Sequence, residues 1–175
     1  MVDHPLRAVL SDAQNVRALA KASSSLKATG EDLMVEVTES QLSFRAINPA
    51  KTAFQLLDIK STFFSSYEPQ QETYHCKINA KDFATAFAAP KNIRELSLVF
   101  DHDASELIVT MTLHTEVQKS FRLPFIEGDI MSVGFSKDQC THIVRSRPNL
   151  LADVLRTMRT DELRVMFTND QVEVR

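Results

Sequence analysis

The side chains best placed to do chemistry in this 175-residue chain are cations on one stretch. Between Ser11 and Thr29 stand Arg17, Lys21 and Lys27 against a single acid, Asp12, in a protein whose net charge is −3. A point cation on a solvated helix face neutralises a phosphate and releases a counterion without reading any base. The same pattern also serves an ordinary amphipathic helix, whose outer face must be wet. Further cations stand at Lys81 and Lys91, flanking a second short helix, and at Arg156 and Arg159 on a third. No base-reading side chain is proposed.

Metal chemistry and catalysis find less support. His75 and Cys76 are adjacent on a predicted strand, so they point to opposite faces and cannot easily share an ion. Cys140 and His142 could share one, but further ligands at zinc spacing are absent. Asp101-His102-Asp103 falls where a hairpin must turn, and aspartate is a turn former. Two-metal cleavage of nucleic acid needs clustered carboxylates. Glu36, Asp101 and Glu116 sit on different predicted elements. No nucleophile–base order is recognisable, so the reading is a non-enzyme without metal or cofactor.

Composition excludes several classes. No apolar run approaches the roughly 18 residues of a membrane span. The start, Met1-Val2-Asp3-His4-Pro5, has no secretory signal. Two cysteines make no disulfide framework, and three glycines encode no phosphate-cradling loop. Residues 1–140 carry 14 basic and 18 acidic side chains, and residues 141–175 carry 6 and 5. A polyanion partner would therefore have to meet a local face.

The elements that would position these residues follow from periodicity. Arg7 to Leu10 reads as a strand. Ser11-Asp12-Ala13-Gln14 reads as a capping box, with Ser11 as the N-cap. The helix it opens runs to about Thr29 and stops at Gly30, by the left-handed cap that glycine tolerates. Val16, Leu19, Ala20, Ser23 and Leu26 line its inner face; Arg17, Lys21, Ser24 and, at the edge, Lys27 line the outer one. Leu33, Val35 and Val37 alternate with Met34, Glu36 and Thr38, and Leu42, Phe44 and Ala46 follow after a turn at Glu39-Ser40. Ala53 to Ile59 reads as a strand, as does the run holding Tyr74, Cys76 and Ile78. Asn79 caps a second helix, Lys81 to Ala89, ended by Pro90. Leu96, Leu98 and Phe100 pair by pattern with Leu107, Val109, Met111 and Leu113, and Lys119 to Phe125 adds a strand. The fold class is α+β, antiparallel strands with helices on one face.

An internal repeat organises the chain. Residues 31–45 align without gaps on residues 161–175, with identity at five of fifteen positions: Leu33/Leu163, Val35/Val165, Thr38/Thr168, Gln41/Gln171 and Arg45/Arg175. Chance would give roughly one. A strand and a shorter amphipathic helix precede the second copy, from Ile143 to Met158, with Leu150, Leu151, Val154, Leu155 and Met158 inward and Pro148 in the first turn. The reading is a first domain over 1–126, a connector over 127–141, and the start of a second domain over 142–175. A strand–helix–hairpin cannot cover its own apolar face. The expectation is an N-terminal piece of a longer two-unit protein, or a truncated product.

This order of elements resembles the sliding clamps of the proliferating cell nuclear antigen family, and more closely the Rad-nine subunits of the nine-one-one checkpoint clamp. Asn15-Val16-Arg17, Leu19-Ala20-Lys21-Ala22, Ser25-Leu26, Gly30-Glu31-Asp32-Leu33 and Leu42-Ser43-Phe44-Arg45-Ala46-Ile47-Asn48 carry the resemblance. Phe63-Phe64, Tyr67, Cys76-Lys77-Ile78, Phe83, Phe87 and Cys140-Thr141-His142-Ile143 continue it in order. The resemblance implies a heterotrimeric ring in the nucleus, with basic helices lining a hole for double-stranded DNA. It implies recruitment of a clamp loader and of checkpoint and repair proteins, and no membrane. Arg17, Lys21, Lys27, Lys81, Lys91, Arg156 and Arg159 would then face DNA. Ile130, Met131 and Phe135 of the connector would lie beside a pocket for partner peptides. The alternative is a clamp-fold peptide-binding scaffold that does not encircle DNA. The family's long phosphorylated tail is missing from the sequence.

Overall fold

The computed structural model describes residues 4–88, 92–128, 141, 143, 145–158, 163–168 and 171–174. They fall in two compact units, residues 1–131 and residues 132–175.

In the first unit the chain runs β1 (Leu6–Leu10), α1 (Ala13–Thr29), β2 (Asp32–Thr38), β3 (Gln41–Ile47) and β4 (Phe54–Lys60). A single 3-10 turn (Ser61–Phe63) and β5 (Ser66–Pro69) follow. The chain continues through β6 (Thr73–Asn79), α2 (Ala80–Ala86), β7 (Ile93–Asp101), β8 (Glu106–Leu113) and β9 (Gln118–Pro124). All pairing is antiparallel, as the alternation predicts. The strands form two sheets, ordered β5-β1-β7-β8-β9 and β4-β3-β2-β6. Apart from β5, the unit consists of two halves with one element order, β1-α1-β2-β3-β4 and β6-α2-β7-β8-β9. Each half places its first strand in the other's sheet: β1 on β7, β6 on β2.

Period-two burial builds the core. Leu33, Val35 and Val37 of β2, Leu42, Phe44 and Ala46 of β3, and Leu96, Leu98 and Phe100 of β7 are buried in one cluster. The inner face of α1 joins it through Val16, Leu19 and Leu26, with Ala20 partly buried, as its spacing predicts. From α2, Phe83 sets its ring 4.9 Å from Phe44 and 4.9 Å from Phe87. Aromatic contacts at such spacing add to the area term. Met34 departs from the expected polar face: it keeps 6% exposure and lines a groove described below.

The ends of α1 correct two expectations. Asp12, not Ser11, is the N-cap: its carboxylate accepts from Gln14 N at 2.6 Å, and Ser11 N donates instead to Ser65 Oγ at 3.0 Å. Gly30 ends the helix in extended backbone, φ −148°, rather than by a left-handed cap. Glycine is required there because an added Cβ would sit 2.6 Å from the Ile47 carbonyl oxygen. Asn79 caps α2 as expected, accepting from Lys81 N and Asp82 N. The helix stops at Ala86, three residues short of the expected Ala89, and Pro90 lies outside the described residues.

The second unit holds α3 (Pro148–Thr157), β10 (Val165–Phe167) and β11 (Val172–Val174). Pro148 occupies the first turn of α3, where its missing N–H costs nothing. The expected inward face is not covered: Leu150, Leu151 and Leu155 are 60%, 51% and 42% exposed, and no residue of α3 is buried. Ile143, expected in a strand, is 75% exposed and in no described strand. The two strands form a hairpin pairing Val165 with Val174 and Phe167 with Val172.

Candidate DNA-facing helices and connector groove

Arg17 and Lys21 stand on the side of α1 opposite its apolar stripe, and Lys27 stands at the edge of that stripe. Arg17, Lys21 and Lys27 are all exposed, as is Lys81 near the start of α2. The helices pack on each other, and Ser24, Lys27, Ala28, Ala84, Thr85 and Ala88 line a shallow groove of about 430 Å³ between them. Small residues at this contact leave the Lys27 side chain on a common surface. Lys27 sits in the last turn, where the partial negative charge of the helix end favours a cation.

None of Arg17, Lys21, Lys27 and Lys81 makes an ion pair with a described residue. Several strand cations are paired, Arg45 with Glu36, Lys77 with Asp32 at 2.7 Å, Arg94 with Glu116 and Arg122 with Glu106. Arg7, Lys60 and Lys119 make no ion pair with a described residue. On α3, Arg156 reaches Asp153 at 3.3 Å along the helix. The structure therefore brings four of the seven expected cations onto one helix pair. Arg156 stands in the second unit, already paired. Lys91 and Arg159 lie outside the described residues.

A second feature lies on the four-stranded sheet. Glu31, Asp32, Met34, Ile47, Asn48, Pro49, Lys51 and Lys77 line a groove of about 250 Å³. Its lip is the turn after β3, where Asn48 Oδ1 accepts from Thr52 N and Ala53 N, each at 2.8 Å. That brace holds Lys51 in left-handed backbone, φ 57°. The chain leaving β9 returns here: Ile126 N donates to Lys77 O at 2.8 Å, and a Cβ built on Gly128 would stand 3.5 Å from Lys77 Nζ. Glu127 and Gly128, the first residues of the expected connector, thus start beside an apolar floor made by Met34 and Ile47. Ile130, Met131 and Phe135 lie outside the described residues. The groove itself was not anticipated from sequence. Its only signal was Met34, one apolar residue on a face otherwise holding Glu36 and Thr38.

The other chemistry-bearing residues serve the fold. Burial pushes the Cys76 thiol up to about 12, which leaves it a poor nucleophile. His75 is exposed while Cys76 is buried, on opposite faces of β6. Asp101 Oδ1 accepts from Ala104 N in the β7–β8 turn. Glu36 and Glu116 are held in the ion pairs above, each on a different element from Asp101. Cys140 and His142 lie outside the described residues.

Known proteins match this chain as a clamp. A "Rad9" family model matches residues 19–175. The "Cell cycle checkpoint control protein Rad9" of Drosophila melanogaster is 25% identical over 152 residues, covering 86% of this chain and 33% of that protein. A "DNA polymerase sliding clamp" of Thermococcus onnurineus is 30% identical over 112 residues, covering 62% of this chain and 43% of its own. The chain thus spans about a third of the one relative's length and less than half of the other's. Among solved structures, PCNA of Thermococcus kodakaraensis superposes with a TM-score of 0.68 at 17% identity, over 97% of this chain and 71% of its own. The PCNA2–PCNA3 complex of Sulfolobus tokodaii gives 0.62 at 17% identity, over 74% and 50%. These structures show the fold, an α+β sliding-clamp fold of antiparallel sheets and few helices. With its model matched from Leu19 to the last residue, the chain belongs to the Rad9 family.

Proposed function

We propose that this chain is a non-enzymatic subunit of a heterotrimeric checkpoint clamp that encircles duplex DNA in the nucleus. It acts in DNA damage signalling and repair by holding partner proteins at the DNA. The observation that carries the reading is the surface of α1 and α2. Arg17, Lys21, Lys27 and Lys81 are exposed there without carboxylate partners among the described residues, in a protein of net charge −3. Unneutralised point cations are what sequence-independent phosphate contact requires.

The remaining parts follow from the same geometry. β4 and β9 are edge strands of seven residues each, with one side unpaired among the described residues. Closing a ring across subunits satisfies such edges. The groove over Met34 and Ile47, at the start of the connector 127–141, is where a partner peptide would set an apolar anchor. In this reading residues 1–126 are one clamp domain and residues 142–175 begin the next.

The test is assembly followed by topology. Light scattering of this chain with the two other clamp subunits should give a one-to-one-to-one species. Loaded on DNA, that species should stay on nicked circular duplex at high salt and leave linear duplex over its free ends. Equal loss from both substrates at matched salt would sink the encircling reading. Peptide binding retained in that case would favour a clamp-fold scaffold that does not encircle DNA.

A further inference from the structure

Three hydrogen-bonding side chains of the first unit meet in one groove without partners. Ala13, Val16, Arg17, Asn92, Ile93 and His114 line a groove of about 210 Å³. Arg17 belongs to α1, Asn92 stands just before β7, and His114 just after β8. Backbone joins the last two: His114 N donates to Asn92 O at 3.0 Å. All three residues are exposed. None of their side chains makes a hydrogen bond or ion pair among the described residues.

Asn92 stands apart from the other asparagines of the unit. Asn15 donates to Phe63 O, Asn48 accepts from Thr52 N and Ala53 N, and Asn79 accepts from Lys81 N and Asp82 N. Those three brace backbone with their side chains; the Asn92 amide braces nothing. Its left-handed backbone, φ 57°, accounts for an asparagine in place of a bulkier residue. Glycine would meet that need as well, so the backbone does not explain the amide.

The lining selects an anion. Arg17 presents five N–H donors and no acceptor, the Asn92 amide adds two donors and the His114 ring at least one. No carboxylate lines the groove. The acids beside it in sequence are engaged elsewhere: Asp12 accepts from Gln14 N and Asn15 N, and Glu116 pairs with Arg94. A phosphate, with acceptor oxygens on several sides, complements donors arriving from three parts of the chain. Arginine and neutral side-chain amides alike make such contacts to a nucleic-acid backbone.

We propose that Arg17, Asn92 and His114 seat one phosphodiester of duplex DNA, so that the contact surface passes from α1 onto the chain flanking β7 and β8. The inference rests on the reading that α1 faces DNA. It adds to that reading two residues that a count of lysines and arginines does not find.

Anisotropy titration of a labelled duplex of about 20 base pairs with the full 175-residue chain, at several salt concentrations, tests the seat. Asn92→Gly keeps the left-handed backbone and removes the amide; His114→Ala keeps the backbone bond to Asn92. Each should weaken binding about threefold to tenfold, the worth of a hydrogen bond to a charged group at an exposed site. Asn92→Gly should leave the slope of log K against log salt unchanged, whereas Arg17→Ala should lower it by about 0.9. In the Arg17→Ala background, Asn92→Gly should have little further effect, because one phosphate couples the two. Urea midpoints of the Asn92 and His114 variants should match the parent chain. As a direct readout, the duplex should shift the Asn92 side-chain amide resonance, and inorganic phosphate at equal phosphate concentration should shift it less. A flattened slope for Arg17→Ala with full affinity in the other two variants overturns the seat and leaves the α1 reading standing. No effect from any of the three removes both. A larger shift with inorganic phosphate than with duplex also overturns the proposal, assigning the groove to the free anion.

Discussion

Asp12 and Ser11 show how much one residue's role depends on distant chain. Both residue types cap helices well, and nothing local chooses between them. The choice is made by Ser65, whose hydroxyl takes the Ser11 N–H and leaves the Asp12 carboxylate aimed at Gln14 and Asn15. Asp12→Ala should therefore cost about 1 kcal/mol in a urea-unfolding measurement, the usual loss for an N-cap. Ser11→Ala should cost clearly less, because its backbone N–H, not its side chain, makes the contact. Equal costs would return the cap to Ser11. Gly30 teaches a related lesson. Its position as a helix end was legible, but its reason was not: the constraint is the Ile47 carbonyl, brought there by β3.

At the level of elements, long alternating strands and the amphipathic α1 were legible because their own side chains report their burial. β5 was not. Ser66–Pro69 is four residues long and carries no alternation; it is a strand because β1 offers it a partner. α3 shows the converse limit: its pattern reveals an apolar face but not what covers it. The cationic face of α1 was legible as exposed, while its lack of ion pairs needed coordinates. That lack sets a quantitative expectation. Replacing Arg17, Lys21, Lys27 and Lys81 together by alanine should flatten the dependence of log K on log salt for duplex DNA. The change should be about 0.9 for each phosphate contact removed, by anisotropy titration at several salt concentrations. Stability should move by no more than about 0.5 kcal/mol, since these side chains are exposed and unpaired. An unaltered slope would place DNA on another surface.

For the molecule as a whole, one buried acid, Cys76, and two half-buried ones, Tyr67 and Tyr74, tie stability to alkaline pH. Burial raises Cys76, Tyr67 and Tyr74 each to about 12, from ordinary values of 9 for the thiol and 10 for the phenols. Between those ordinary values and about pH 12 the native state holds protons that the unfolded chain has released, so stability falls as pH rises. Urea midpoints should be insensitive to these groups below about pH 9 and then decline, and Cys76→Ala should delay the onset by about one pH unit. A flat profile to pH 11 would contradict the raised values of all three. The exchange of first strands between the two halves has a further consequence, for synthesis. β1 is made well before β7, yet Leu6 pairs with Phe100 and Leu10 with Leu96. At about 5–20 residues per second, translation separates those partners by roughly 5–20 s. Throughout that interval the growing chain holds β1 without its β7 partner. For a Rad9-family clamp, the hazard of misassociation is therefore greatest on the ribosome, before the sheet that shelters β1 has emerged.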